Sequence, residues 1–176
     1  MNGSLLKIDG RPALRFERRL AHPPEKVWRA LTEPGEVGQW FPATPEWDLV
    51  PGAKIVFRFR EEAPVDDMTQ AEFEGEVVAV QPLRLLEFTW AGELLRWELA
   101  PDGEGTLLTF TTAFDDLGKA ARDAAGWDVC LDVLEESLEG REVPWEDQMK
   151  RWDTVFPGYV ESLGPEASVQ GKPEGV

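Results

Sequence analysis

The longest stretch of helical periodicity in this sequence runs from Asp116 to Gly140. Its apolar residues recur at steps of three and four, and acidic residues occupy the opposite side. An aspartate at the start can accept hydrogen bonds from the first backbone N–H groups, and Gly140 suits a left-handed residue after the last turn. The pattern therefore predicts a long amphipathic helix that another apolar surface must cover. Its apolar stripe consists of Trp127, Cys130, Leu131, Leu134 and Leu138.

Most of the chain before this helix alternates between apolar and polar residues with period two, which is typical of strands with one buried face. Two short segments of helical spacing, 25–31 and 36–40, interrupt the alternation. The layout predicts an α+β fold in which a curved antiparallel sheet of seven strands packs on the long helix. The predicted strands are 14–20, 47–50, 53–60, 69–80, 86–90, 95–99 and 108–114, with a hairpin loop at 61–68.

The two ends of the chain lack this alternation. Residues 1–12 show no period and predict a loose N-terminal arm, which leaves a single domain over 13–163. Within it, a second amphipathic helix is predicted over 144–163, with two tryptophans on its apolar stripe and a kink or an end at Pro157. Because such a stripe is costly in water, the helix must dock either on its own domain or on a second copy in a homodimer. Residues 164–176 predict a disordered tail.

Charge narrows the range of partners. Eighteen basic and thirty-four acidic residues give a net charge of −16, which disfavours nucleic acid and anionic membranes but allows a protein partner with a basic surface. No apolar run approaches the roughly 20 residues of a membrane span, and the first residues lack a secretory signal pattern. We therefore expect a cytoplasmic protein.

Candidate chemistry is sparse. His22 and Cys130 are the only histidine and cysteine, and they lie far apart without ligand spacing, so no metal site is predicted. Cys130 lies on the apolar stripe and has no base near it in sequence, which favours a core residue over a nucleophile. Glycine-rich phosphate loops are absent from the sequence. We therefore predict no catalytic residue and no cofactor.

Tryptophan is abundant, with eight residues in the chain, and most of them fall on segments that should face the long helix. A set of aromatic walls favours a cavity for an apolar ligand, although the same rings could simply fill the core. The predicted ligand-binding residues are Trp40, Phe41, Phe57, Phe59, Phe73, Phe88, Trp90, Trp97, Phe110, Trp127, Leu131 and Leu134.

Several motifs resemble one superfamily. The run 18–34, the pair Trp40-Phe41, and the segments 50–59, 85–90 and 126–127 are similar to those of SRPBCC (START-like, helix-grip) proteins. The similarity is greatest to the branch related to the activator of heat shock protein 90 ATPase, and it covers about residues 14–140. It implies a seven-stranded antiparallel sheet around a long C-terminal helix, with a cavity between them.

The resemblance leaves three functions open, because one fold hosts many activities. The first is binding of a small, mostly apolar molecule without catalysis, which the apolar inward positions favour. The second is a cyclase- or hydrolase-like enzyme on apolar substrates, which needs an ionisable group inside the cavity. The third is a chaperone co-factor that activates an ATPase.

Overall fold

Eight antiparallel strands form one sheet in the computed structural model, which describes residues 3–59 and 72–171. The strands are Gly3–Ile8 (β1), Arg11–Leu20 (β2), Ala43–Trp47 (β3), Lys54–Phe59 (β4), Glu72–Gln81 (β5), Leu85–Trp90 (β6), Glu93–Asp102 (β7) and Gly105–Ala113 (β8). Their spatial order is β1-β2-β8-β7-β6-β5-β4-β3. A register shift between Val77 and Ala79 in β5 marks a bulge, a feature that bends a strand and increases its twist.

Within these described ranges, four α-helices accompany the sheet, and each of the first two begins with a proline in its first turn. Proline is tolerated there because the first N–H groups of a helix have no partner within the helix. Asp116 caps the short 3₁₀ turn Leu117–Lys119 that leads into the third helix, since its Oδ1 accepts a hydrogen bond from the Gly118 N–H at 2.9 Å. The helices are Pro24–Thr32 (α1), Pro34–Trp40 (α2), Ala120–Leu138 (α3) and Trp145–Leu163 (α4).

The predicted loose arm is wrong for residues 3–8, because they form β1 and pair with β2 along their whole length. The sheet consequently has eight strands rather than seven. Asp9 and Gly10 connect β1 to β2 with φ angles of 51° and 83°, as a tight hairpin turn requires. The Asp-Gly dipeptide was the local signal for this hairpin. The backbone N–H of Gly3 also donates to the Tyr159 hydroxyl at 3.0 Å, which ties the start of the chain to α4.

The predicted disordered tail is likewise wrong for its first part. Residues Pro165–Ala167 form a 3₁₀ turn with Ala167 buried. The Gln170 N–H donates to the Gly118 carbonyl at 2.9 Å, which holds this segment against the start of α3. Residues 172–176 and the predicted hairpin loop 61–68 lie outside the described residues.

One strand is displaced from its predicted position. The third strand covers Ala43–Trp47 instead of 47–50, and it lies at the sheet edge. Pro45 is compatible with that place because an edge strand does not need every N–H in the ladder. The alternation around Trp47 was visible in the sequence, but the prolines at positions 42 and 45 obscured the strand that ends at Trp47.

The long helix α3 covers the inner face of the sheet, as the alternation predicted. Its Trp127 ring lies 4.7 Å from the Phe110 ring of β8, and the rest of its apolar stripe is buried except Cys130, which is partly buried. Helix α4 runs through Pro157 and packs on α3 of the same chain, so Trp152 and Tyr159 are buried within the domain. Among the described residues, no helix combines the length and apolarity needed to cross a membrane.

Candidate ligand-binding cleft

A cleft of about 390 Å³ opens between α3, α4 and the turn that joins β6 to β7. We call it the α4 cleft, because α4 supplies one of its walls. Most of its lining is aromatic or aliphatic, and four charged side chains lie at one end. Its apolar lining comprises Trp40, Pro42, Phe59, Trp90, Ala91, Trp127, Val129, Cys130, Trp145, Met149 and Trp152.

Four of the predicted ligand-binding residues line this cleft, namely Trp40, Phe59, Trp90 and Trp127. These residues come from α2, β4, β6 and α3, and they converge because the inner face of the sheet meets the apolar side of α3 here. Phe73 lies directly behind them, with its ring 4.4 Å from that of Trp90 in an edge-on contact. These predicted residues therefore lie together on the side of the cleft that the sheet and α3 contribute.

The structure places the remaining predicted residues in the core between the sheet and α3. Their side chains pack against one another and leave no open space. For example, the centroid of the Phe41 ring lies within 6.0 Å of the ring centroids of Phe57, Phe88 and Trp127. The open space is therefore at the edge of the sheet–helix interface and not at its centre. The residues packed in this core are Phe41, Phe57, Phe88, Trp97, Phe110, Leu131 and Leu134, each at most 3 % exposed.

Four cleft residues come from α4 and were not among the predicted site residues, namely Gln148 and three apolar side chains. Trp145, Met149 and Trp152 follow one another at steps of four and three, so they face the same side of the helix. Opposite them, Gly126 of α3 presents no side chain, and a Cβ built there would lie 4.0 Å from the Trp152 indole nitrogen. The stripe on α4 was visible in the sequence, but its position beside Trp127 depends on tertiary packing.

The polar end of the cleft is an ionic cluster of Glu93, Lys119, Arg122 and Asp123. The Lys119 ammonium pairs with Glu93 and with Asp123, the latter at 2.8 Å. The Arg122 Nε contacts the other oxygen of Asp123 at 2.9 Å. Two cations and two carboxylates therefore neutralise one another, and the cluster is anchored by the first turn of α3.

Burial and ion pairing shift the pKa values of Glu93 and Lys119. It raises the pKa of Glu93, and the hydrogen bond and charge of Lys119 oppose that rise only in part. Burial also acts to lower the pKa of Lys119, but its hydrogen bonds to Asp123 and Glu93 outweigh this effect, so the pKa is raised. The cleft thus contains ionisable groups, the feature that an enzyme on apolar substrates would require, and each of them is engaged by a neighbour.

A second polar feature lies inside the domain, away from the α4 cleft. Arg18 of β2 and Asp128 of α3 form an ion pair with side chains only 6 % and 5 % exposed. The Tyr159 hydroxyl of α4 donates to the second oxygen of Asp128 at 2.9 Å and accepts from the Gly3 N–H. This network connects β1, β2, α3 and α4, and sequence reasoning missed it because its members are up to 156 positions apart.

In the part of the chain that the structure describes, no group of three His, Cys, Asp or Glu side chains comes together as a possible set of metal ligands. His22 instead lies beside Lys26, with its Nδ1 3.5 Å from the ammonium nitrogen. The two residues border a polar concavity at the far end of α3.

Comparison with known proteins assigns the fold and a family description. The family described as "Activator of Hsp90 ATPase homolog 1-like protein" matches residues 21–139. No curated protein matches the chain. The fold itself recurs in many solved structures.

Three of these structures illustrate the similarity. CalU16 from Micromonospora echinospora is 20 % identical, with a TM-score of 0.66, and the match covers 92 % of this chain and 95 % of that one. A conserved protein of unknown function from Enterococcus faecalis, EF2215, is also 20 % identical, with a TM-score of 0.72 and coverage of 92 % and 90 %. The protein encoded by gene BPP1335 from Bordetella parapertussis is 24 % identical, with a TM-score of 0.66 and coverage of 89 % and 90 %. At these identities the likeness concerns the fold alone.

Proposed function

Because the chain belongs to the family of activator of Hsp90 ATPase homolog 1-like proteins, with their helix-grip fold, we propose that it binds a small, mostly apolar molecule in the α4 cleft. Its volume of about 390 Å³ falls in the range of roughly 300–1,000 Å³ that is usual for small-molecule sites. A ligand with one or two fused rings and a short substituent fits this space.

The observation that carries the proposal is the arrangement of aromatic walls from three elements. Trp90 of β6, Trp127 of α3 and Trp152 of α4 all line the same cleft. Flat indole rings provide large apolar contact areas with few rotatable bonds, so they bind planar ligands at low entropic cost. The proposal does not extend to the centre of the sheet–helix interface, where aromatic side chains pack against one another.

The ionic cluster gives the ligand an orientation. A substituent that can hydrogen-bond gains contacts at Glu93, Lys119 or Arg122, whereas an apolar body gains them at the indole walls. Since the four charges compensate one another, the cleft does not demand a charged ligand. We infer that the bound molecule is amphipathic and uncharged.

Cys130 provides a direct test, because it lines the cleft and is the single cysteine of the chain. Alkylation by iodoacetamide, followed by intact mass, reports access to the cleft at one position. We expect 2-isopropylnaphthalene to slow alkylation and to quench tryptophan emission with the same midpoint. If saturating probe leaves the alkylation rate and the emission unchanged, the proposed function is wrong.

A pair of variants on α4 locates the binding. Met149→Lys places a charged side chain in the cleft and should weaken probe binding at least about tenfold, because an ammonium group is costly beside apolar walls. Thr154→Lys adds the same group on the exposed side of the same helix and should leave the affinity within about twofold. Equal affinities for the two variants would place the probe elsewhere.

A further inference from the structure

Gln148 of α4 supplies the amide side chain found among the described residues that line the α4 cleft. The residue is only 3 % exposed, and its Nε2 donates to the Val143 carbonyl at 2.8 Å. A carbonyl oxygen only accepts hydrogen bonds, so this contact assigns the amide nitrogen to the side of Val143. The amide oxygen is therefore on the other side of the group.

That oxygen has no hydrogen-bond partner among the residues that the structure describes. In the same part of the chain, the side-chain atoms that lack a partner and are also fully enclosed are Trp97 Nε1 and Thr112 Oγ1. The Gln148 oxygen is not enclosed in this way, and because the residue lines the cleft, it faces the open space there. Water can reach it in the free protein, but an apolar ligand that displaces this water leaves the oxygen unpaired at a cost.

The charged groups of the cleft are in a different situation, because they already bind one another. Lys119 pairs with Glu93 and with Asp123. Arg122 pairs with Asp123 as well. A ligand group that binds in this cluster shares its partner with an existing ion pair, whereas a donor that binds the Gln148 oxygen displaces no contact within the protein.

Apolar side chains of α4 flank the amide. Trp145 and Met149 are three residues before Gln148 and one after it, and all of them line the cleft. Trp152 follows after four residues, which is about 6 Å along the helix axis. A ring that lies on Trp152 can therefore bring a hydroxyl group to the amide through a short substituent.

We propose that Gln148 determines the specificity of the α4 cleft and that its amide oxygen accepts a hydrogen bond from a hydroxyl group of the ligand, an inference that rests on the proposed function. The ligand class is an aromatic or polycyclic alcohol that is apolar apart from this group. A ketone of the same shape has no proton to donate. Because Val143 holds the amide in place before the ligand arrives, little side-chain freedom is lost on binding.

Three naphthalenes with substituents of nearly equal size test the donor, namely 1-(2-naphthyl)ethanol, 2-acetylnaphthalene and 2-isopropylnaphthalene. Their affinities are measured by the slowing of Cys130 alkylation. The alcohol and the ketone each carry one oxygen that must lose its water, so the ratio of their affinities reports the donated proton. Wild-type protein should bind the alcohol about tenfold more tightly than the ketone, the gain expected from one well-formed hydrogen bond. Equal affinities would overturn the proposal.

Two glutamine variants locate the contact. Gln148→Met removes the amide and keeps the length of the side chain, and it should reduce the preference for the alcohol to about threefold or less. Gln81→Met makes the same change at an exposed position of β5, which pairs with the start of β6 and not with the end that borders the cleft. It should keep the tenfold preference. If Gln148→Met does not fold, Gln148→Asn, which shortens the side chain by one methylene, carries the test.

The ratio separates recognition from a structural role. If Gln148 only holds the Val143 carbonyl, its loss weakens all three probes alike and leaves the preference unchanged, which would overturn the proposal. A preference that is lost in Glu93→Gln but survives in Gln148→Met would assign the hydroxyl to the ionic cluster and would also overturn it. In both cases the proposed function stands as long as 2-isopropylnaphthalene slows alkylation. If none of the three probes slows alkylation of the wild-type protein, both proposals are wrong.

Discussion

The buried ion pair between Arg18 and Asp128 allows a quantitative prediction. Replacing Arg18 with methionine keeps much of the side-chain volume but leaves the Asp128 carboxylate buried without its main cation. Breaking a buried pair in this way costs about 3–5 kcal/mol, because the remaining charge is desolvated and uncompensated. Urea unfolding followed by circular dichroism at 222 nm should therefore show the free energy of unfolding of Arg18→Met lowered by this amount.

The neighbouring position provides a matched control. Arg19 also forms an ion pair, with Asp102, but its side chain is 73 % exposed. An exposed pair contributes little because water screens it, so Arg19→Met should cost less than about 1 kcal/mol. The contrast between adjacent arginines separates the effect of burial from the loss of a positive charge.

A double-mutant cycle makes the reasoning refutable. Asp128→Asn should lower the stability of the wild-type protein, since it weakens the bond to Arg18. In the Arg18→Met background the same change should raise stability, because it removes an uncompensated charge and keeps an oxygen for the Tyr159 hydroxyl. If Asp128→Asn costs the same in both backgrounds, the two residues are not energetically coupled and the argument fails.

Three further perturbations follow from the structure. Burial raises the pKa of Asp132 above its ordinary 3.8, so this carboxyl ionises more readily in the unfolded chain and stability is lost as pH rises from 3.8 to the raised value. Asp132→Asn should therefore raise Tm at pH 7 and leave it unchanged at pH 3, whereas the exposed Asp48→Asn should leave Tm unchanged at both pH values. Cys130→Ala should cost about 1 kcal/mol or less and change probe affinity by less than about threefold, and a larger loss of binding in a folded protein would show that the thiol itself contacts the ligand. Deletion of 141–176 should lower Tm sharply and expose a dye-binding apolar surface, because α4 covers α3; a truncated protein with an unchanged Tm would refute that role.

The sheet and the long helix could be predicted because their signals are local. Alternation along β7 and the three- and four-residue steps of α3 each reflect one buried face. The structure confirms the α+β architecture that these two patterns predicted. The strand β1 was not predicted, because its polar and apolar residues do not alternate regularly. Only the Asp9-Gly10 turn indicated a hairpin. The displaced β3 shows the same limit, since prolines interrupt the pattern on which the prediction depended.

The site was less accessible to sequence reasoning. Period two places Trp90 and Trp97 on the same inner face, but it cannot distinguish a side chain that borders open space from one that packs against other rings. Trp90 lines the cleft and Trp97 does not, because α4 leaves a gap over the first and α3 covers the second. The network of Arg18, Asp128 and Tyr159 joins residues from three distant segments, so no local window contains its signal.

The position of α4 affects how far a ligand identified for one relative can be inferred for another. The family match ends at residue 139, yet Trp145, Met149 and Trp152 of α4 form one wall of the cleft. In this chain, the segment after the family match therefore contributes one wall of the cleft that we propose as the ligand site. The proposed function implies that two members with the same sheet and a different final helix accept different molecules. A ligand found for one relative is informative about this chain only when that relative also has a helix in the place of α4.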